Sequence, residues 1–319
     1  MINVRFLKIA AIVTLLAFTW FYIAADFTFA EQKQLEPRTD VIYKEGKKKK
    51  LPVLLIVGGA VVVAIIVYLL IKPKPVPPDD QQPFDTMVLK FQWVTIPTGE
   101  FTMGDNSTEA EANEKPEHQV SLSQYEISKY EVTFDQYDYF CDDTGRAKPE
   151  SMAVGRGKHP VINISWEDAD AFCDWLSGKT EGKRFSLPTE AQWEKAARGT
   201  GKFKYPWGND SPTCVLANYN DCIGTATAVV GSYPNGQSPY GVLDMAGNVW
   251  EWCNDWYDGN YYNISGNNDP QGPVSGTSRV VRGGCYSSNA KNIRTTDRSN
   301  HDPQRSFQYV GFRICRYNK

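Results

Sequence analysis

The chain has 319 residues, a formal net charge of -3 and 13% aromatic residues. Its Lys and Arg are spread along the sequence and form no basic face, which argues against nucleic acid as a partner. The length allows one or two domains, and the abundance of Gly, Asn, Tyr and Trp over strong helix formers points to a loop-rich globular domain.

In chain order, Arg5 and Lys8 precede an apolar run over 9–25 that ends at Phe27-Thr-Phe-Ala30. Residues 1–30 therefore read as a signal peptide or as a first, uncleaved hydrophobic anchor. A polar, basic linker follows over 31–50. Residues 51–71 carry no charge and, at about 1.5 Å per residue, are long enough to cross a bilayer; they are predicted as a transmembrane helix. Pro73, Pro75, Pro77 and Pro78 with Asp79 and Asp80 make a stiff, solvated spacer over 72–83. The globular domain is expected over 84–319. Lys44 and the lysines at 47–50 outweigh Lys72 and Lys74, which favours an exported domain, whereas a cleaved signal or a first span would return it to the cytoplasm.

Within the domain, Gln92-Trp-Val-Thr-Ile-Pro-Thr-Gly-Glu-Phe-Thr-Met-Gly104 alternates around a Pro-Thr-Gly turn and predicts a hairpin. Residues 120–130 form a further strand candidate. Thr133 three before Gln136, Ser165 three before Asp168 and Thr189 three before Gln192 are capping boxes that open three helices. Phe134, Tyr137 and Phe140, then Trp166, Ala169, Phe172 and Leu176, then Trp193, Ala196 and Ala197 recur at helical spacing and are assigned to the core. Gly145 and Gly178 are natural stops. Beyond Gly199 no long period survives, but the Trp and Tyr content argues against disorder.

All seven cysteines lie in the domain and none forms a C-x-x-C pair, so a zinc site is not expected. Cys214 and Cys222 bracket a short Asn-rich loop and read as a local disulfide.

Three dense motifs crowd the C-terminal part: Gly241-Val-Leu-Asp-Met-Ala-Gly-Asn-Val-Trp-Glu-Trp252, Arg279-Val-Val-Arg-Gly-Gly284 and Val310-Gly-Phe-Arg313. With Glu126-Ile-Ser-Lys-Tyr-Glu-Val-Thr133, Pro160-Val-Ile-Asn-Ile-Ser-Trp166 and Arg184-Phe-Ser-Leu-Pro-Thr-Glu-Ala-Gln-Trp-Glu194, in this order, they resemble the formylglycine-generating enzyme (sulfatase-modifying factor) domain over about residues 92–316. The resemblance implies a compact α+β domain of the C-type-lectin-like type with little regular secondary structure and two calcium ions. Calcium takes oxygen ligands; carried over, the carbonyls of Ala246, Gly247 and Val249 with the Glu251 carboxylate make one site. Asn218, the carbonyl of Tyr219 and Asp221 make the other. A bridge between Cys173 and Cys315 is also implied. With Cys214–Cys222 it favours an oxidising compartment and hence a membrane-held, extracytoplasmic domain.

The catalytic positions depart from the pattern. The family's Cu(I) is held by two thiolates, soft ligands suited to that ion, four and nine residues after the second Gly of the Arg-Gly-Gly motif. Counting from Gly284 reaches Ser288 and Ile293, so copper is not expected. Cys285 is out of phase with that pair and is expected to pair with Cys253 or to remain free. What is left is a polar strip including Tyr286, Ser288, Asn289, Asn292, Arg294, Arg298 and Arg305, whose mix of Tyr, Ser, Asn and Arg suits adaptable recognition. The competing expectation is that Arg294, Arg298 and Arg313 pair with internal acids. The leading reading is a membrane-anchored, non-oxidase binding or accessory module for a protein or glycan at the cell envelope. Its rival is an oxidoreductase of the formylglycine-generating type acting on protein or small-molecule thiols with a non-standard site, using Cys253 and Cys285.

Overall fold

Three helices begin where a hydroxyl can accept an unpaired N–H of the first turn. Thr133 and Gln136 bond each other reciprocally and open α1 (Phe134–Thr144). Ser165 and Asp168 do the same for α2 (Trp166–Lys179), and Thr189 and Gln192 for α3 (Glu190–Arg198). Gly145 ends α1 with φ 71°, in the left-handed region where a side chain is disfavoured. Gly178 does not end α2. Ser177 Oγ donates to the Cys173 carbonyl and accepts the Phe185 N–H, holding the last turn in place, and the helix runs to Lys179.

The computed structural model describes residues 89–151, 155–222 and 226–318. The expected signal peptide or anchor, linker, span over 51–71 and spacer all lie outside these. Among the described residues no helix is long and apolar enough to cross a membrane. The membrane tether, and the envelope location and partner drawn from it, are accordingly corrected.

The strands are β1 (Trp93–Ile96), β2 (Gly99–Met103), β3 (His118–Leu122), β4 (Tyr125–Ser128), β5 (Lys183–Ser186), β6 (Trp250–Trp256), β7 (Arg279–Arg282), β8 (Arg298–His301), β9 (Val310–Gly311) and β10 (Cys315–Asn318). They form sheets ordered β1-β4-β10-β5, β2-β3 and β8-β7-β6-β9. The domain is α+β with organised sheets, which corrects the expectation of little regular secondary structure. β6 escapes a periodicity reading because its first half is buried on both faces: Trp250, Glu251, Trp252 and Cys253 in succession are all buried. The hairpin expected over 92–104 does not form either. β1 pairs with β4 from Trp93↔Ser128 to Ile96↔Tyr125, and β2 pairs with β3 from Gly99↔Leu122 to Met103↔His118. Each strand finds a distant partner that shares its buried side chains, among them Ile96, Phe101, Val120 and Ile127.

Candidate functional site

β7 delivers the chain to Gly283 and Gly284, at φ 94° and 74°. A Cβ on Gly284 would lie 2.4 Å from the Asn292 carbonyl oxygen, so the following loop folds back on a position that only glycine suits. The loop is then fastened by backbone bonds: Tyr286 N–H to the Asn248 carbonyl at 2.9 Å and Asn220 N–H to the Ser288 carbonyl at 3.0 Å. Asn289 Oδ1 accepts from Lys291 and Asn292, capping a short 3-10 turn over Ala290–Ile293.

This turn brings Cys285 Sγ to 3.3 Å from Ser287 Oγ and 3.5 Å from Ser288 Oγ, while Ser288 Oγ also accepts the Cys285 N–H at 3.0 Å. Cys285 is buried but sits beside exposed Ser287 and half-buried Ser288. The other free thiols, Cys141, Cys173, Cys253 and Cys315, are buried, and burial pushes each of them up. Cys253 and Cys285 pack in different core clusters and are not paired. Cys214 and Cys222 are joined in a disulfide. Cys173 and Cys315 are both free, so the bridge implied by the resemblance is not formed.

Ile293 is fully buried and packs with Tyr205, Tyr219 and Ala246. One thiol, two hydroxyls and an apolar side chain do not make a two-thiolate Cu(I) site. Among the described residues no group of three or more His, Cys, Asp or Glu side chains is placed to hold a metal.

The polar strip divides in two. Arg294 makes a bidentate pair with buried Glu114 at 2.7 and 2.8 Å. Arg298 does the same with Glu190 at 2.6 and 2.9 Å. Both guanidiniums are buried, and their assignment to a binding surface is corrected: a buried charge must be paired, and theirs are. Tyr286 is buried, and burial, then Cys285, raises its phenol. Ser287, Asn289 and Arg305 are exposed and Asn292 is half-buried. Sequence reasoning missed Phe307, which stacks on His301 at 4.2 Å and faces Tyr309 at 5.7 Å, giving the strip an aromatic end over Trp252. Burial, then Arg305, lowers the His301 pKa.

The two segments expected to hold calcium are brought side by side. Asn218 and Gly247 form a parallel bridge, and Asn248 N–H donates to the Asn218 carbonyl at 2.8 Å. Gly247 has φ 80°, and a Cβ there would meet that carbonyl at 2.2 Å. Asn218 Nδ2 bonds the Ala226 carbonyl, but its Oδ1 is buried with no donor, which fits a cation. Glu251 fits less well: its Oε2 accepts from Arg313 Nε at 2.6 Å and Trp193 Nε1 at 2.8 Å, and its Oε1 from Arg313 Nη2 at 2.7 Å. The Tyr219 carbonyl already accepts the Cys222 N–H, and Asp221 is exposed.

Known proteins match this architecture. A serine/threonine-protein kinase, pkn1, of Chlamydia pneumoniae is 34% identical over 248 residues, 70% of this chain; the chain spans 38% of that protein's own length. The formylglycine-generating enzyme of Streptomyces coelicolor is 34% identical over 287 residues, covering 70% of this chain and 88% of that enzyme. Among solved structures, PvdO from Pseudomonas aeruginosa aligns with a TM-score of 0.63 at 27% identity, over 70% of this chain and 93% of its own. Treponema denticola variable protein 1 aligns with a TM-score of 0.58 at 29% identity, over 70% and 94%. With its match over residues 78–318, the chain belongs to the sulfatase-modifying factor enzyme 1-like domain family.

Proposed function

We propose that this chain is an oxidoreductase of the formylglycine-generating type that acts on protein or small-molecule thiols through Cys285, in place of a copper–thiolate pair. The observation that carries the reading is the position of Cys285 Sγ, 3.5 Å from the hydroxyl of Ser288, the residue at the place of the family's first thiolate. Among the free cysteines of the described residues it alone has two side-chain hydroxyls in contact. No step is routed through copper, because the residues present do not supply its ligands. The chemistry open to a lone thiol is exchange, with a disulfide co-substrate as the oxidant of the thiol substrate. The Cys285 thiolate forms a bond to one sulfur of the disulfide, whose S–S bond breaks and whose second sulfur leaves as a thiolate; a substrate thiolate then attacks the transferred sulfur and releases the Cys285 thiolate, so that the disulfide is the two-electron oxidant of the thiol. Ser287 and Ser288 can donate to the sulfur that carries the charge. A calcium ion in this reading is structural. It would be held by Asn218 Oδ1 with neighbouring backbone carbonyls, and would tie the 218 segment to the 246–251 segment.

The test uses the full chain with oxidised glutathione. Mass spectrometry of the peptides should find a mixed disulfide at Cys285, absent in Cys285→Ser. Release of the adduct by a cysteine peptide completes the exchange. Failure of any adduct to form, or its appearance at another cysteine instead, would overturn the proposal.

A further inference from the structure

Two tight turns meet beside Cys285. The Cys222 N–H donates to the Tyr219 carbonyl at 3.0 Å and closes the first; the Ser288 N–H donates to the Cys285 carbonyl at 2.9 Å and closes the second. The Asn220 N–H, within the first turn, donates to the Ser288 carbonyl at the end of the second, at 3.0 Å. One cysteine thus ends the first turn and another opens the second. Side chains continue the contact. Cys222 packs against the cluster of Ala217, Tyr219, Ala246 and Ile293, as does Ala290. Ala290 and Ile293 bound the 3-10 turn that follows Ser288. By the resemblance, Ser288 and Ile293 stand where two thiolates are expected. Cys285 Sγ is 3.5 Å from the Ser288 hydroxyl, and Cys222 packs in the cluster of Ile293.

Cys222 is bonded to Cys214. Cys222 is half-buried against the residues that follow the Cys285 loop, whereas Cys214 is exposed. The disulfide spans a sequence separation of 8, and closing so short a loop restrains the unfolded chain less than closing a long one. The fold therefore depends on it less than on a long-range bridge. We propose that Cys214–Cys222 is the redox partner of Cys285, an inference that rests on the thiol-directed reading of that residue. The Cys285 thiolate bonds to the Cys222 sulfur, the Cys214–Cys222 bond breaks, and Cys214 leaves as a thiolate. A substrate thiolate then bonds to the Cys285 sulfur, and Cys222 leaves as a thiolate. A second substrate thiolate attacks the bound substrate sulfur and displaces Cys285, so the substrate departs as a disulfide. Two electrons and two protons have passed from two substrate thiols to Cys214 and Cys222. The exposed Cys214 thiolate then attacks a disulfide co-substrate, and Cys222 displaces the half it carries, which restores the bridge.

The test uses the full chain and variants that keep the wild-type circular dichroism. Cys214→Ser frees Cys222 and traps the intermediate: after treatment with oxidised glutathione, peptide mapping without reductant should find a Cys222–Cys285 disulfide. Cys222→Ser leaves the outer sulfur instead, and there glutathione should stay on Cys285 with no Cys214–Cys285 bond. In a second measurement the wild type, its disulfide intact, is given a cysteine peptide under anaerobic conditions with no other oxidant. The peptide should be oxidised as Cys214 and Cys222 become open to alkylation, with an initial rate about tenfold lower in Cys285→Ser, where only direct attack on the bridge remains. A lasting glutathione adduct at Cys285 in Cys214→Ser, without the Cys222–Cys285 bond, overturns the inference and leaves the thiol role of Cys285 standing. An equal rate of peptide oxidation in Cys285→Ser overturns it as well. Absence of any adduct at Cys285 in every variant removes the reading beneath it and the inference together.

Discussion

Glu251→Gln separates two roles that one carboxylate could have. Its oxygens take three N–H groups, two from Arg313 and one from Trp193, and both Glu251 and Arg313 are fully buried. The substitution keeps the volume but removes the charge, and it turns an NH2 group towards a guanidinium that has nothing to accept it. Arg313 cannot swing to another anion, because its remaining N–H groups are held by the carbonyls of Ser128, Lys129 and Leu243. The nearby acids offer little in exchange: burial pushes Glu131 well up and Asp244 up to about 6. Removing one partner of a buried ion pair costs about 3–5 kcal/mol. For a domain of this size that corresponds to a fall in Tm of about 6–20 °C. Urea and thermal unfolding should be measured with calcium and again with excess chelator. If Glu251 acts chiefly as the partner of Arg313, the loss is the same in both; if it is a calcium ligand, most of the loss vanishes in chelator. A loss below about 1 kcal/mol in chelator would falsify the ion-pair argument.

Calcium itself is expected to raise the wild-type Tm, through mass action on the folded state, and Asn218→Ala to abolish the rise; an identical calcium response in that variant would remove Asn218 from the site. Arg294→Ala should cost about 3–5 kcal/mol by stranding Glu114, whereas exposed Arg305→Ala should stay within about 0.5 kcal/mol, as denaturant titration can show. Burial, then Glu190, pushes the Asp255 carboxyl up to about 7, above its unfolded value of roughly 4. The protonated acid suits the fold, so its contribution is whole below about pH 4 and is lost as pH rises through about 7. Asp255→Asn should therefore flatten the decline in stability across that window. A slope equal to that of the wild type would contradict the assignment.

The parts legible in the sequence are those decided within a few residues. A capping box is a local bargain between a hydroxyl and a side chain three residues on, and all three appear at Thr133, Ser165 and Thr189. Strand partners are decided elsewhere. The alternation across residues 92–104 shows which side chains seek burial, but not that Ile96 will lie against Tyr125 instead of across a turn. The same limit applies to the strip after Gly284. Arg294 and Glu114 are separated by 180 residues, and no local pattern tells a buried guanidinium from one waiting for a ligand.

The thiol position shows how this limit bears on function. The resemblance, counted from Gly284, would place Ser288 and Ile293 at the two thiolate positions, and phase along an extended strand would turn Cys285 away from them. The chain is not extended there. Gly283 and Gly284 take positive φ, Tyr286 is tied to Asn248, and the Ser288 N–H bonds the Cys285 carbonyl at 2.9 Å, closing a tight turn. That turn sets the Cys285 sulfur beside the Ser288 hydroxyl. By the resemblance, the register of the motif puts Ser288 where a thiolate is expected; the backbone geometry puts the Cys285 sulfur within contact distance of the same residue, and it is on this proximity that the proposed thiol-directed role depends.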